Sequence, residues 1–283
     1  MSICASLGEL AEDTWAHMEY QLVHGYRPPD ERAFTDHNLV ELSRRHYPAV
    51  QAKLFTTTEE AHTGADFELW FRSGRRLIGT LVQAKKLQPD DCYAGLARKV
   101  GAKSAAPRQI DLLIGTCSTG TRFSSYEPLY VFYNGPTPSR TPLPADRCRN
   151  GNVNDRQRGC TVARAREVCA ALDAPGGPHE AASDIAPLAW PWQCLLCCPN
   201  ASRGSLVERV GAFLGGHVEE GGWQPGEPGA DGAPRVWEWE EVPDYIRLIA
   251  NGDSPGEANP EYISDVPGAN RVIVIGDDHP LFD

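Results

Sequence analysis

Asp66 and Glu68 stand two residues apart in "TGADFELWF", and Gln83 and Lys85 stand two apart in "LVQAKKL". Side chains alternate along a strand, so each pair shares a face, while Phe67, Leu69 and Phe71 take the opposite face of the first run. If the register matches the two faces, Asp66, Glu68, Gln83 and Lys85 converge on one patch. Carboxylate and carboxamide oxygens suit a hard cation such as Mg²⁺. A lysine beside them can orient or deprotonate water, or offset charge that develops on a phosphate. That composition suits metal-assisted hydrolysis of a phosphodiester. From spacing alone, an ordinary hairpin with charges on its wet face accounts for the pattern equally well.

The elements that would position these groups follow from periodicity. "RSGR", with Gly74 for a tight turn, joins "DFELWF" to "RLIGTLVQAKK" as a hairpin. Leu7, Leu10, Ala11, Trp15, Met18 and Leu22 recur at helical spacing. Thr35 reads as the N-cap of a second helix through "DHNLVELSRRHY", and "KLFTT" at 53–57 reads as a strand. Helices are predicted over "CYAGLARKVGA", "RQIDLLIGTC", "TVARAREVCAALDA", "SLVERVGAFLG" and "EVPDYIRLIANG". Strands are predicted over "PLYVFY" and "NRVIVIGDD", the latter returning to the main sheet. The order for 1–133 is that of an α/β or α+β domain with a mixed sheet. Residues 134–159 and 221–235, rich in Pro and Gly, read as long loops.

With 41% hydrophobic and 23% charged residues, the 283-residue chain is globular and not disordered. No apolar run has the length of a membrane span, and the start, "MSICASLGELAEDTW", lacks the pattern of a signal peptide, so a cytoplasmic protein without a membrane partner is expected. The net charge of −11 speaks against a polyanionic partner until its distribution is read. Residues 217–283 carry −12 and the remainder +1. Nine bases lie between 72 and 108, among them Arg75, Arg76, Lys86, Arg98 and Lys103, against Asp90 and Asp91. A nucleic-acid-binding surface on Arg75, Arg76, Lys86 and Lys103 is expected from this segment. A solvated helix face competes with that reading.

The nine cysteines are scattered, and without a secretion signal they are expected to be free and buried. "CLLCC" holds a C-x-x-C spacing but has no second half at finger-like distance. A zinc-stabilised interaction protein organised on Cys194, Cys197 and Cys198 is the third reading, behind the two that follow.

Asp66, a turn, and "QAK" ending a strand resemble the PD-(D/E)xK nuclease superfamily, in which an acid precedes an acid-x-Lys motif. With Gln for the second acid and a further base in "VQAKK", the motif is most similar to the Mrr-type restriction endonuclease branch. More narrowly, "DERAFTDHNL", "TGADFELWF", "VQAKKL", "RQIDLLI" and "PLYVFYN" resemble a bacterial family of largely uncharacterised proteins with this core. The resemblance spans roughly residues 5–135 and extends only loosely beyond.

It implies an α/β (α+β) fold. A restriction-endonuclease-like core over 1–135, with a mixed central sheet flanked by helices, would carry a less regular extension over 136–283. It also implies a metal-dependent endonuclease that hydrolyses DNA, in restriction or phage defence, with a second copy or another defence protein as partner. Asp66 would be the principal ligand of Mg²⁺ or Mn²⁺, Gln83 a neutral oxygen ligand, the Ala84 carbonyl another ligand, and Lys85 the catalytic lysine. Glu31, in "DERAFTD", would add a carboxylate, with Glu41 and Glu60 as rivals. Glu68 would be a ligand or stand behind one, and Gln109 would orient site or substrate. Gln83 is the departure: one negative charge fewer weakens the hold on a metal. The alternative is therefore a catalytically silent nucleic-acid-binding or assembly module that keeps the fold.

Overall fold

The computed structural model describes residues 1–26, 29–54, 63–100, 106–118, 123–136, 153–176, 179–197, 204–215, 234–252 and 269–277. Its centre is the hairpin. β2 (Phe67–Ser73) and β3 (Arg76–Lys86) pair antiparallel with Phe67 opposite Val82, and Gly74 takes the left-handed φ of 57° at the turn. Gly79 faces Trp70 across the ladder, where any Cβ would come within 2.9 Å of the indole. Glycine here lets the ring lie flat on the neighbouring strand.

Around the hairpin the described residues form an eight-stranded mixed sheet in the order β1 (Val50–Leu54), β8 (Arg271–Gly276), β2, β3, β4 (Glu127–Tyr133), β5 (Cys160–Arg164), β6 (Trp190–Pro191), with β7 (Trp237–Glu238) paired to the start of β3. β4 lies parallel to β3, and the connection between them carries α3 (Gln109–Thr116). β1 ends near the site end of the hairpin, and β8 sits between β1 and β2, antiparallel to one and parallel to the other. The last strand among the described residues therefore lies inside the core sheet. β5 and β6 extend the opposite edge, so residues on both sides of position 136 build one sheet.

One face of the sheet is a dry seam. Phe67, Leu69, Phe71, Val82, Leu129, Val131, Ile273 and Ile275 meet Leu7 of α1 (Ile3–His24) and Leu39 and Leu42 of α2 (Glu31–His46). α1 starts on a Ser2 cap and stops at Gly25, whose left-handed φ of 70° closes it. α2 begins earlier than its sequence predicts. Asp30 is the cap, accepting from Ala33 N, while Thr35 lies inside the helix and donates back to the Glu31 carbonyl.

Three further expectations are corrected. "CYAGLARKVGA" is not a helix within its described residues: Gly95 holds φ at 85°, and Cys92 and Lys99 bridge to Ala181 and Arg108. "TVARAREVCAALDA" divides, because Thr161 and Val162 join the sheet as β5 before α4 (Ala165–Leu172) begins. The cysteines are not all free, since Cys4 of α1 and Cys197 form a disulfide with Cα atoms 6.0 Å apart. Cys197 is thereby unavailable as a zinc thiolate, Cys194 is a buried free thiol, and Cys198 lies outside the described residues. No helix among the described residues is long and apolar enough to cross a membrane.

Candidate metal and phosphate site

At the C-terminal end of β3 the two hairpin strands bring Asp66, Gln83 and Lys85 to one place. Asp66 sits just ahead of β2, and its backbone N–H donates to the Val82 carbonyl at 2.8 Å, continuing the ladder. Its Oδ2 accepts from the Ala84 N–H at 2.7 Å and from the Gln83 carboxamide Nε2. That same Nε2 donates to the Ala84 carbonyl at 3.1 Å. One polar N–H₂ group thus touches two of the oxygens expected as metal ligands. Gln83 is 3% exposed, so its carboxamide is committed to these partners and not to water.

Lys85 is 9% exposed and donates from Nζ to Gln109 Oε1 at 2.9 Å; Gln109 Nε2 donates to Gln83 Oε1 at 2.5 Å. Gln109 opens α3, where the Asp111 carboxylate accepts from the Arg108 backbone N–H at 3.1 Å and from its guanidinium, and the Gln109 N–H donates to the Arg98 carbonyl at 2.9 Å. Burial pushes the Lys85 ammonium below the usual lysine range. Asp66, Glu31 and Glu180 oppose that shift, and Arg98 adds to it. Glu31 therefore acts on the site electrostatically from the first turn of α2. That turn is pinned to the motif strand: Lys86, on the other face of β3, donates from Nζ to the Pro29 carbonyl at 2.6 Å.

The structure separates other residues from this group. Glu68 shares the face of Asp66 but is wholly buried, and its Oε2 accepts from Trp70 Nε1 at 3.0 Å and from Tyr245 OH at 2.8 Å. It anchors α5 (Asp244–Ala250) to the hairpin among Trp70, Tyr126 and Trp237. Glu41 is held by Arg44 and Arg45 further along α2. Lys86 is 7% exposed and holds the start of α2, which takes it out of the expected nucleic-acid surface.

Arg75 and Arg76 sit at the turn, about 30 Å of strand away from Lys85, paired with Glu240 and with Glu208 (3.5 Å). The length of β3 thus separates these two arginines from Lys85 and Lys86. Glu60 and Lys103 lie outside the described residues.

Two residues here were not singled out from sequence. A Cβ built on Gly95 would stand 3.6 Å from Arg98 Cβ and 4.0 Å from Lys85 Nζ, so exposed Arg98 flanks the lysine. Glu180 fixes the same loop, its Oε1 accepting from Ala97 N at 2.7 Å and its carbonyl from Tyr93 N at 2.8 Å. Neither has a local signal: Arg98 arrives through a loop that crosses the end of β3, and Glu180 meets that loop from a distant part of the chain.

Among the described residues, no group of three or more His, Cys, Asp and Glu side chains has the arrangement of a metal site. The oxygens at the hairpin end are mixed in type: Asp66, the Ala84 carbonyl and the Gln83 carboxamide, with Glu31 nearby. They fit a hard cation in kind, since Asp66 Oδ2 and the Ala84 carbonyl already converge on one donor. No curated protein matches the sequence. The profile of a family of unknown function, DUF6615, matches residues 3–279, nearly the whole chain, and the chain belongs to that family.

Proposed function

We propose that the chain is a divalent-metal-dependent nuclease that hydrolyses phosphodiester bonds of nucleic acid, DNA first, with its site at the end of the β2–β3 hairpin. One observation carries the reading: Asp66 Oδ2 and the Ala84 carbonyl converge on a single point beside a buried lysine. Asp66, the Ala84 carbonyl, the Gln83 carboxamide oxygen and Glu31 would hold Mg²⁺ or Mn²⁺. The bound cation supplies Lewis-acid chemistry, offsetting phosphate charge and making water a better nucleophile.

The chain's own residues do the rest. Lys85 orients or deprotonates the attacking water and stabilises charge on the phosphate oxygens, and burial lowers its proton affinity below that of an ordinary lysine. Arg98, exposed beside it, meets the phosphate. Lys86 and Pro29 hold Glu31 in place. A setting in restriction or phage defence rests on the family resemblance alone.

A catalytically silent module is the second reading. It is favoured by the low count of acids at the site among the described residues and by the two N–H donors already on Asp66 Oδ2. Crystals soaked in Mn²⁺ separate the two. The nuclease reading expects an anomalous peak between Asp66 and the Ala84 carbonyl, lost in Asp66→Ala. Its absence from well-ordered wild-type crystals favours the silent module.

A further inference from the structure

The polar groups at the hairpin end form a hydrogen-bond chain with one direction. Lys85 Nζ donates to Gln109 Oε1, Gln109 Nε2 to Gln83 Oε1, and Gln83 Nε2 to Asp66 Oδ2 and the Ala84 carbonyl. The ends dictate that direction, because an ammonium only donates and a carboxylate or carbonyl only accepts. A cation needs the opposite at Gln83, an oxygen where the N–H₂ now stands. Turning that carboxamide by half a turn leaves its Nε2 facing Gln109 Nε2, donor against donor. Gln109 must then turn too, which sets its Nε2 against Lys85 Nζ and removes the lysine's acceptor.

We propose that Gln83 and Gln109 form a two-amide relay, in which a divalent cation entering between Asp66 and the Ala84 carbonyl inverts both carboxamides and releases Lys85 to the substrate phosphate. The relay rests on the metal-site reading above and adds to it a reason for glutamine at position 83. A glutamate there would have no N–H to donate, so the resting chain could not form. Gln109 is a positioning residue, acting through Gln83 and Lys85. A buried ammonium deprived of its acceptor is costly unless an anion replaces it. Cation and phosphodiester therefore bind cooperatively, each tightening the other.

The relay is tested on the full chain by calorimetric titration with Mg²⁺ and by NMR of the glutamine side-chain amides. In the wild type, Mg²⁺ should move the Gln83 and Gln109 amide signals together. Gln109→Leu removes the second inversion and the lysine's bond, so it should bind Mg²⁺ roughly five- to tenfold more tightly than the wild type. Gln109→Met, closer in shape, should do the same and serves if the leucine variant does not fold. Asp66→Ala should abolish binding in every background. Unchanged or weaker Mg²⁺ affinity in a folded Gln109 variant overturns the relay and leaves the metal site standing. So does a static Gln109 signal while that of Gln83 moves. Absence of any Asp66-dependent Mg²⁺ binding overturns both.

Discussion

Tyr245 OH donates to Glu68 Oε2 at 2.8 Å, joining two residues 177 positions apart in the chain. The contact ties the C-terminal part to the hairpin and gives the second acid of "DFE" a structural task. Glu68→Ala should cost about 2–4 kcal/mol, because it strands the buried Trp70 and Tyr245 donors. Tyr245→Phe should cost about 1–2 kcal/mol. Both should keep Mg²⁺ binding at Asp66. Denaturant unfolding and Mg²⁺ titration check this, and metal lost from a stable Glu68→Gln would make Glu68 a ligand.

On the proposed reading, Lys85 trades stability for chemistry. Its ammonium is buried, and its proton affinity in the folded protein is below that in the unfolded chain. The unfolded state therefore binds more protons between the two pKa values. The stability deficit is full below the folded pKa and fades as pH rises toward the ordinary lysine value. Lys85→Met should lose cleavage while its Tm holds or rises by about 2–4 °C near neutral pH. Thermal unfolding at several pH values reads this out, and the gain should shrink at alkaline pH.

Glu127 works the other way. Burial pushes its carboxyl up to about 7, against the pull of Arg166 and Arg164. The folded state keeps a proton that the unfolded chain releases, so stability falls as pH rises from about 4.5 to 7. Glu127→Gln should remove that decline and gain on the order of 2 kcal/mol at pH 8. Unfolding of both proteins at pH 5 and pH 8 provides the comparison.

Arg98 should be the principal arginine contact to nucleic acid in the described part of the basic segment. Arg98→Ala should weaken binding and lower the salt dependence by about one phosphate contact. Arg75→Ala with Arg76→Ala should leave both unchanged, since these arginines face Glu240 and Glu208 at the far end of β3. Binding isotherms across a salt series decide between the two ends of the hairpin.

What could be read from the sequence was whatever depends on local periodicity. The two faces of the hairpin, with Asp66 and Gln83 converging, follow from alternation, and the helix from Gln109 and the strand from Arg271 follow from apolar pattern. Where partners distant in sequence decide, the local pattern misleads. Thr161 and Val162 look helical in context yet pair with β4, and Gly95 breaks a run that otherwise reads as helix. Lys86 looks like a phosphate contact until the Pro29 carbonyl is placed beneath it. Arg98 has no motif at all, because its position beside Lys85 is set by the crossing of one loop.

The most direct test of the central claim is cleavage of plasmid, linear and single-stranded DNA by wild type and Lys85→Ala side by side, in Mg²⁺, Mn²⁺ and EDTA. Wild type should cut with either metal and stop in EDTA, and folded Lys85→Ala should not cut. Cleavage that survives Lys85→Ala, or a pure wild type inert on every substrate, would contradict the account.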